Sequence, residues 1–241
     1  TQTEEIASPH TFNLVGWEVG NLTDKWTHRL TSILSGQMSK DEEFKQLERY
    51  FEASMLIRDV QRSYEIDMAK KTMDAGASFD LEKKLAHLKN YRRSLRNDVE
   101  EVLESVISRA IQDQDISSIG KFVLPPVDFR LESPPKILVT SRRDRIERLE
   151  SVLIDMSTTT TDSEKIERII GEEQNLSAIV LELGGLATYP TFVEESTDLY
   201  QILELAAHEW LHAHFFFYPL GKNIESSDEM RTLNETIANI V

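Results

Sequence analysis

Residues 208 to 214 read "HEWLHAH" and gather three of the six histidines in the chain on a stretch that is otherwise Trp, Leu, Ala and one Glu. Imidazole is costly to bury without a partner. On a helix, His208 and His212 lie one turn apart on the same face. Two rings so placed can each aim a nitrogen at one zinc ion, at about 2.0 to 2.1 Å. Glu209 points roughly 100° around from His208, close to such an ion without being forced to bind it. A carboxylate there can take a proton from a water that the metal has acidified toward a pKa of about 7. The pattern is His-Glu-x-x-His, and one helical turn delivers two ligands and a base. His214 falls on another face and reads as a structural or solvent-facing ring.

Protein-bound zinc takes a third protein ligand. Downstream of His212 the acidic candidates are Glu225, Asp228, Glu229 and Glu235. The first three fall in a loop or a first helical turn, where carboxylates favour the positive end of a helix. Glu235 instead sits mid-helix in "LNETIANIV", beside Ile237, Ala238 and Ile240. A carboxylate on such a face wants a cation.

The helix carrying the histidines runs from about 197 to 217 and is apolar at Leu199, Ile202, Leu203, Ala206, Trp210 and Phe217, a stripe suited to burial against a sheet. Pro219 and Gly221 break it. A second helix starts near residue 227, introduced by Ser226 and Glu229 in capping-box spacing. Upstream, "SAIVLEL" (177 to 183) reads as a buried strand, and "KILVTS" (136 to 141) and "RIERLESVLIDM" (145 to 156) as further strands. Between them "KIERIIGEE" reads as a helix. Two Pro-Pro pairs, 125–126 and 134–135, exclude helix before the first strand.

Residues 24 to about 115 read as helix almost throughout. Ser39 and Glu42 form a capping box, apolar residues recur from Phe44 to Leu56, and the pattern stops near Gly76. A second helix starts at Ser78 or Asp80 and continues through Leu95, Val99 and Leu103 to about Gln114. Two helices of roughly 35 residues make an antiparallel hairpin about 50 Å long. Its basic run "YRRSLR" (91 to 96) reads as solvated surface.

Here "HEWLH" is followed, 23 residues after His212, by the glutamate of "NETIA". This pairing resembles the gluzincins, the group that includes thermolysin and the zinc aminopeptidases. Their second motif reads Asn-Glu-x-x-Ala or Asn-Glu-x-x-Ser-Asp, and Asn234, Glu235 and Ala238 match the first form. The resemblance covers residues 177 to 241. It implies that His208, His212 and Glu235 bind Zn2+, that Glu209 is general base and proton shuttle, and that the substrate is a peptide or protein. Together with the residue patterning, the expected fold is α+β: a helical region with the long hairpin (1–115), then a small mixed sheet packed on helices that the resemblance makes zincin-type active-site helices (116–241).

Three departures accompany it. Thermolysin-like members carry an aspartate four residues after the glutamate ligand, which orients the first histidine; Asn239 stands there. The aminopeptidase sequence Gly-x-Met-Glu-Asn is absent and "GGLATYPT" occupies its place, which leaves endo- and exopeptidase action both open. Gly184, Gly185 and Ala187 suit an edge strand that a substrate backbone approaches, or equally an ordinary turn. Finally, gluzincins present a Tyr or His to the oxyanion from beyond the glutamate ligand, and this chain ends six residues after Glu235. Tyr189, Tyr218 and His214 remain, none on the ligand face, so the chain is expected to bind zinc yet hydrolyse peptides weakly or not at all.

Whole-chain chemistry narrows the alternatives. A net charge of −15 over 241 residues argues against a nucleic-acid partner, which needs a clustered basic patch. With no cysteine, any metal must be held by His, Asp or Glu. No run of about 18 apolar residues is present. The chain starts at Thr1 and ends at Val241 inside an apolar helical pattern, which reads as a segment excised from a longer protein. The expectation is an extracytoplasmic domain, with possible membrane attachment through segments outside the chain. The competing function is a non-catalytic zinc-containing scaffold or sensor that uses the hairpin for protein contacts. An intact Glu209 favours the peptidase, because a structural site has no use for a base.

Overall fold

Helices and strands segregate along the chain as the patterning requires, and the result is an α+β fold. A computed structural model describes residues 1–35, 38–70, 75–114, 116, 122–145, 147–186 and 188–240. Helix α1 (Gln2–Ala7), a 3-10 turn (Ser8–His10) and α2 (Leu14–Ser35) precede the hairpin of α3 (Lys40–Lys70) and α4 (Ala75–Asp113). Helix thus begins ten residues earlier than residue 24. The hairpin helices measure about 45 and 60 Å at 1.5 Å per residue. Ser39 and Glu42 close the predicted capping box, with Ser39 N–H donating to the Glu42 carboxylate at 2.9 Å. Gly76, near which the first hairpin helix was expected to stop, lies within α4, which runs from Ala75; residues 71–74 lie outside the described residues.

The second half opens with β1 (Phe129–Leu131), β2 (Lys136–Arg142) and β3 (Arg148–Ile154), then α5 (Thr160–Glu173). Strands β4 (Leu176–Leu181), β5 (Gly185–Leu186) and β6 (Thr191–Val193) lead into α6 (Leu199–Phe215), a short α7 (Pro219–Lys222) and α8 (Asp228–Ile240). Where one small mixed sheet was expected, the strands make two sheets of three. One is antiparallel, in the order β3-β2-β4; the other is mixed, in the order β1-β6-β5, with β1 parallel and β5 antiparallel to β6.

Strand β4 forms where "SAIVLEL" predicted it, but it is not buried on both faces. Ala178 and Val180 pack toward Ile166 and Ile170 of α5, while Ile179 and Leu181 stand exposed. Helices α1 and α5 cover one face only, and Ala7 joins the same cluster as Leu138 and Ile154. The first residues therefore serve this sheet, with Phe12 N–H donating to the Leu153 carbonyl at 2.9 Å.

The larger core crosses the compositional boundary. Tyr50, Val99 and Leu103 of the hairpin meet Phe129, Leu131 and Val193 of the mixed sheet and Ile202, Trp210 and Ala238 of α6 and α8. Two arginines of "YRRSLR" are not solvated surface. Arg92 pairs with Glu195 just before α6 and lies over the Tyr50 ring, and Arg96 reaches Glu100 and Glu132. These two arginines flank Leu95, which is buried in the core, while Tyr91, Arg93 and Ser94 stay exposed.

Helix α2 is built inside out. Asp24 pairs with Arg130, Lys25 with Glu104 and with Asp128 at 2.7 Å, and Arg29 with Glu104 at 2.9 Å and Asp128 at 3.3 Å. His28 sits 3.1 Å from both Asp98 and Glu101. Its apolar residues Val15, Val19, Trp26 and Leu30 face out, although Trp17 stacks on Phe192 at 3.6 Å. Lys25 is 2% exposed, which is tolerable only because carboxylates surround it.

Candidate metal centre

Helix α6 positions the pair of histidines as the sequence spacing requires. Asp198 caps its start, accepting from Tyr200 N–H at 2.8 Å, and the apolar stripe Ile202, Ala206 and Trp210 is buried. The histidine face is therefore fixed relative to the core. The Nε2 atoms of His208 and His212 lie 3.0 Å apart. Helix α8 brings Glu235 Oε2 to 3.5 Å from His208 Nε2 and 3.4 Å from His212 Nε2. Its N-cap is Ser227, which accepts from Met230 N–H at 3.2 Å, and not Ser226 as the capping-box spacing suggested.

These three donors fit a tetrahedral ion. Bonds of about 2.0 to 2.1 Å place neighbouring ligand atoms about 3.3 Å apart, close to all three separations. Two imidazole nitrogens and one carboxylate oxygen, with no thiolate, are a donor set that suits zinc. Among the described residues His208, His212 and Glu235 are the one such group of potential ligands.

The proton on His212 is placed by its neighbour. Asn234 Oδ1 accepts from His212 Nδ1–H at 2.7 Å, and the amide is oriented by its own Nδ2–H donating to the Leu220 carbonyl at 3.3 Å. The lone pair of His212 is thereby left on Nε2, facing Glu235. Asn234 is 1% exposed. The sequence pointed to position 239 for such support; Asn239 instead lines a groove beside His208.

Glu209 is 9% exposed, against 49% for the Glu235 side chain. Burial, reinforced by the charge of Glu235, pushes its carboxyl up to about 7. It lies against β5: a Cβ added at Gly185 would fall 2.8 Å from Glu209 Cδ. The space left by the missing side chain of Gly185 is taken by the carboxylate, which is why a glycine stands there. Gly184 has open space around it, and Ala187 lies outside the described residues.

His214 is buried and structural. Its Nδ1 bonds the Leu124 carbonyl at 2.6 Å, and its ring stacks on Trp210 with centroids 5.0 Å apart. Tyr218 packs against that same ring at 4.8 Å. Tyr189 shares a cavity with His212. Sequence reasoning missed the Asn234 and Gly185 contacts; the first could have been suspected from its place directly before Glu235.

No family model, curated protein or solved structure matches this chain. Among the described residues no helix is long and apolar enough to cross a membrane.

Proposed function

We propose that the chain is a zinc-dependent peptidase of gluzincin type, with His208, His212 and Glu235 as ligands and Glu209 as general base. The observation that carries this reading is the convergence of two motifs, 23 residues apart in sequence, on three donor atoms 3.0 to 3.5 Å from one another. The packing of α6 against the mixed sheet, with α8 against α6, is read as the zincin arrangement. A zinc ion held there would supply Lewis acidity, polarising a peptide carbonyl and acidifying water.

The protein's own part falls to three groups. Asn234, by accepting from Nδ1–H, holds the His212 ring with Nε2 turned to the site. Glu209, with a carboxyl that titrates near neutrality, can accept a proton from the attacking water and return it to the departing amine. Gly185 gives that carboxylate room beside the edge strand. What favours this over a zinc-holding scaffold is Glu209 itself: an ionisable group buried next to three candidate ligands serves no coordination role.

The deciding experiment is metal analysis of the purified protein together with a peptide-library digest, with and without a chelator. One zinc per chain and chelator-sensitive cleavage support the proposal. A protein that binds no zinc, or that cleaves equally with the metal stripped, refutes it.

A further inference from the structure

Each histidine of the pair borders a groove, and the two grooves differ in polarity. On the His212 side a cavity of about 500 Å³ is walled by Pro125, Pro126, Tyr189, Phe216 and Phe217. Its neighbouring polar groups are already engaged: His212 Nδ1 with Asn234, and the Thr188 hydroxyl with the Pro190 carbonyl at 2.7 Å. What remains is an apolar wall, with Phe216 and Phe217 largely exposed on it.

On the His208 side a groove of about 360 Å³ is lined by Glu194, Ser196, Gln201, Glu204 and Asn239, with Leu205 as its apolar floor. Ser196 and Gln201 satisfy each other at 2.8 Å. Among the described residues Glu194 and Glu204 have no basic partner, whereas Glu195 next door is held by Arg92. Only 3.0 Å separates the Nε2 atoms of the two rings that line these grooves, one ring in each.

We infer, resting on the peptidase reading above, that the substrate is a peptide with a basic residue on the His208 side of the cleaved bond and a large apolar residue on the His212 side. The stem of a Lys or Arg can lie along Leu205 while its head reaches Glu194 and Glu204. A Phe or Leu side chain leaves water for the proline and phenylalanine wall. The contrast, rather than either groove alone, sets the direction in which a peptide lies.

The test uses the Glu209→Gln protein supplied with zinc and short labelled peptides, with binding read by fluorescence anisotropy. A Lys/Phe peptide should bind best. Replacing its Lys by Glu should weaken binding about five- to tenfold, the scale of two solvent-screened charge contacts. Replacing its Phe by Asp should weaken it about tenfold or more. The double variant Glu194→Gln, Glu204→Gln should abolish the first difference and keep the second; Phe216→Ser with Phe217→Ser should do the reverse. These four positions are exposed, so folding should survive. Equal affinity for all three peptides, or no binding, overturns the inference. Because binding requires no cleavage, selective binding by a chain whose native form cleaves nothing would sink the peptidase reading and leave only the pattern of peptide recognition standing. Efficient but unselective cleavage would do the opposite.

Discussion

Asn234 Oδ1 lies 2.7 Å from Nδ1 of His212, one residue before the glutamate that completes the candidate centre. One turn of α8 thus supplies both a ligand and the hydrogen bond that orients another ligand. Asn234→Ala should lower zinc affinity about 10- to 100-fold while Asn234→Asp retains most of it, measured by competition with a chromogenic chelator. Equal affinity in all three proteins would mean that the contact does not support the metal.

Glu235→Gln and Glu209→Gln should separate binding from chemistry. The first removes a ligand, so zinc affinity should collapse. The second keeps the shape but removes the base, so zinc should stay while hydrolysis drops about 10²- to 10⁴-fold. Metal content and initial rates on both variants check this; loss of zinc from Glu209→Gln would contradict the role given to it.

Gly185→Ala should act as a remote form of the same lesion. The added methyl group would overlap the Glu209 carboxylate and must displace it. Hydrolysis should fall at least tenfold with zinc stoichiometry unchanged. Unaltered rates would show that the carboxylate moves aside freely.

Glu104 gives a pH signature. Burial pushes its carboxyl up to about 7, with the charges of Asp128 and Glu100 adding and Lys25 opposing. The folded chain therefore holds a proton here that the unfolded chain, with an ordinary glutamate near 4.5, has already released. With the folded value above the unfolded one, this group's contribution is most favourable below 4.5 and is lost as pH rises toward 7. Melting temperatures of Glu104→Gln should show a shallower decline than wild type between pH 4.5 and 7. Parallel curves would contradict this.

The candidate ligands were legible because helical spacing fixes which residues share a face, and the two motifs need only two short helices to meet. Other features depended on what lies opposite. "SAIVLEL" holds four apolar residues in a row, Ala178 to Leu181, which reads as a buried strand, yet α1 and α5 cover one side and leave Ile179 and Leu181 bare. Charge alone suggested that Arg92 faces water; only tertiary packing brings Glu195 to it, about a hundred positions away in the chain. Asn234 was legible as part of the Asn-Glu-x-x-Ala match, but its hydrogen bond to His212 exists only once α8 meets α6.

The inverted helix α2 carries a genetic consequence. A helix held by aliphatic packing tolerates single conservative exchanges, each costing a little. Lys25 and Glu104 permit no such drift, because both belong to a buried charge cluster with Glu100, Asp128 and Arg29, and losing either one alone unbalances the charges that remain, a loss of about 3 to 5 kcal/mol. Exchanging both for apolar residues of similar volume can be close to neutral. Their effects should be strongly epistatic, the double variant Lys25→Met, Glu104→Leu being more stable than either single one. In a mutational landscape the interior of α2 would then form a valley crossed only in paired steps, while Val15, Val19, Trp26 and Leu30 on its outer side drift one at a time.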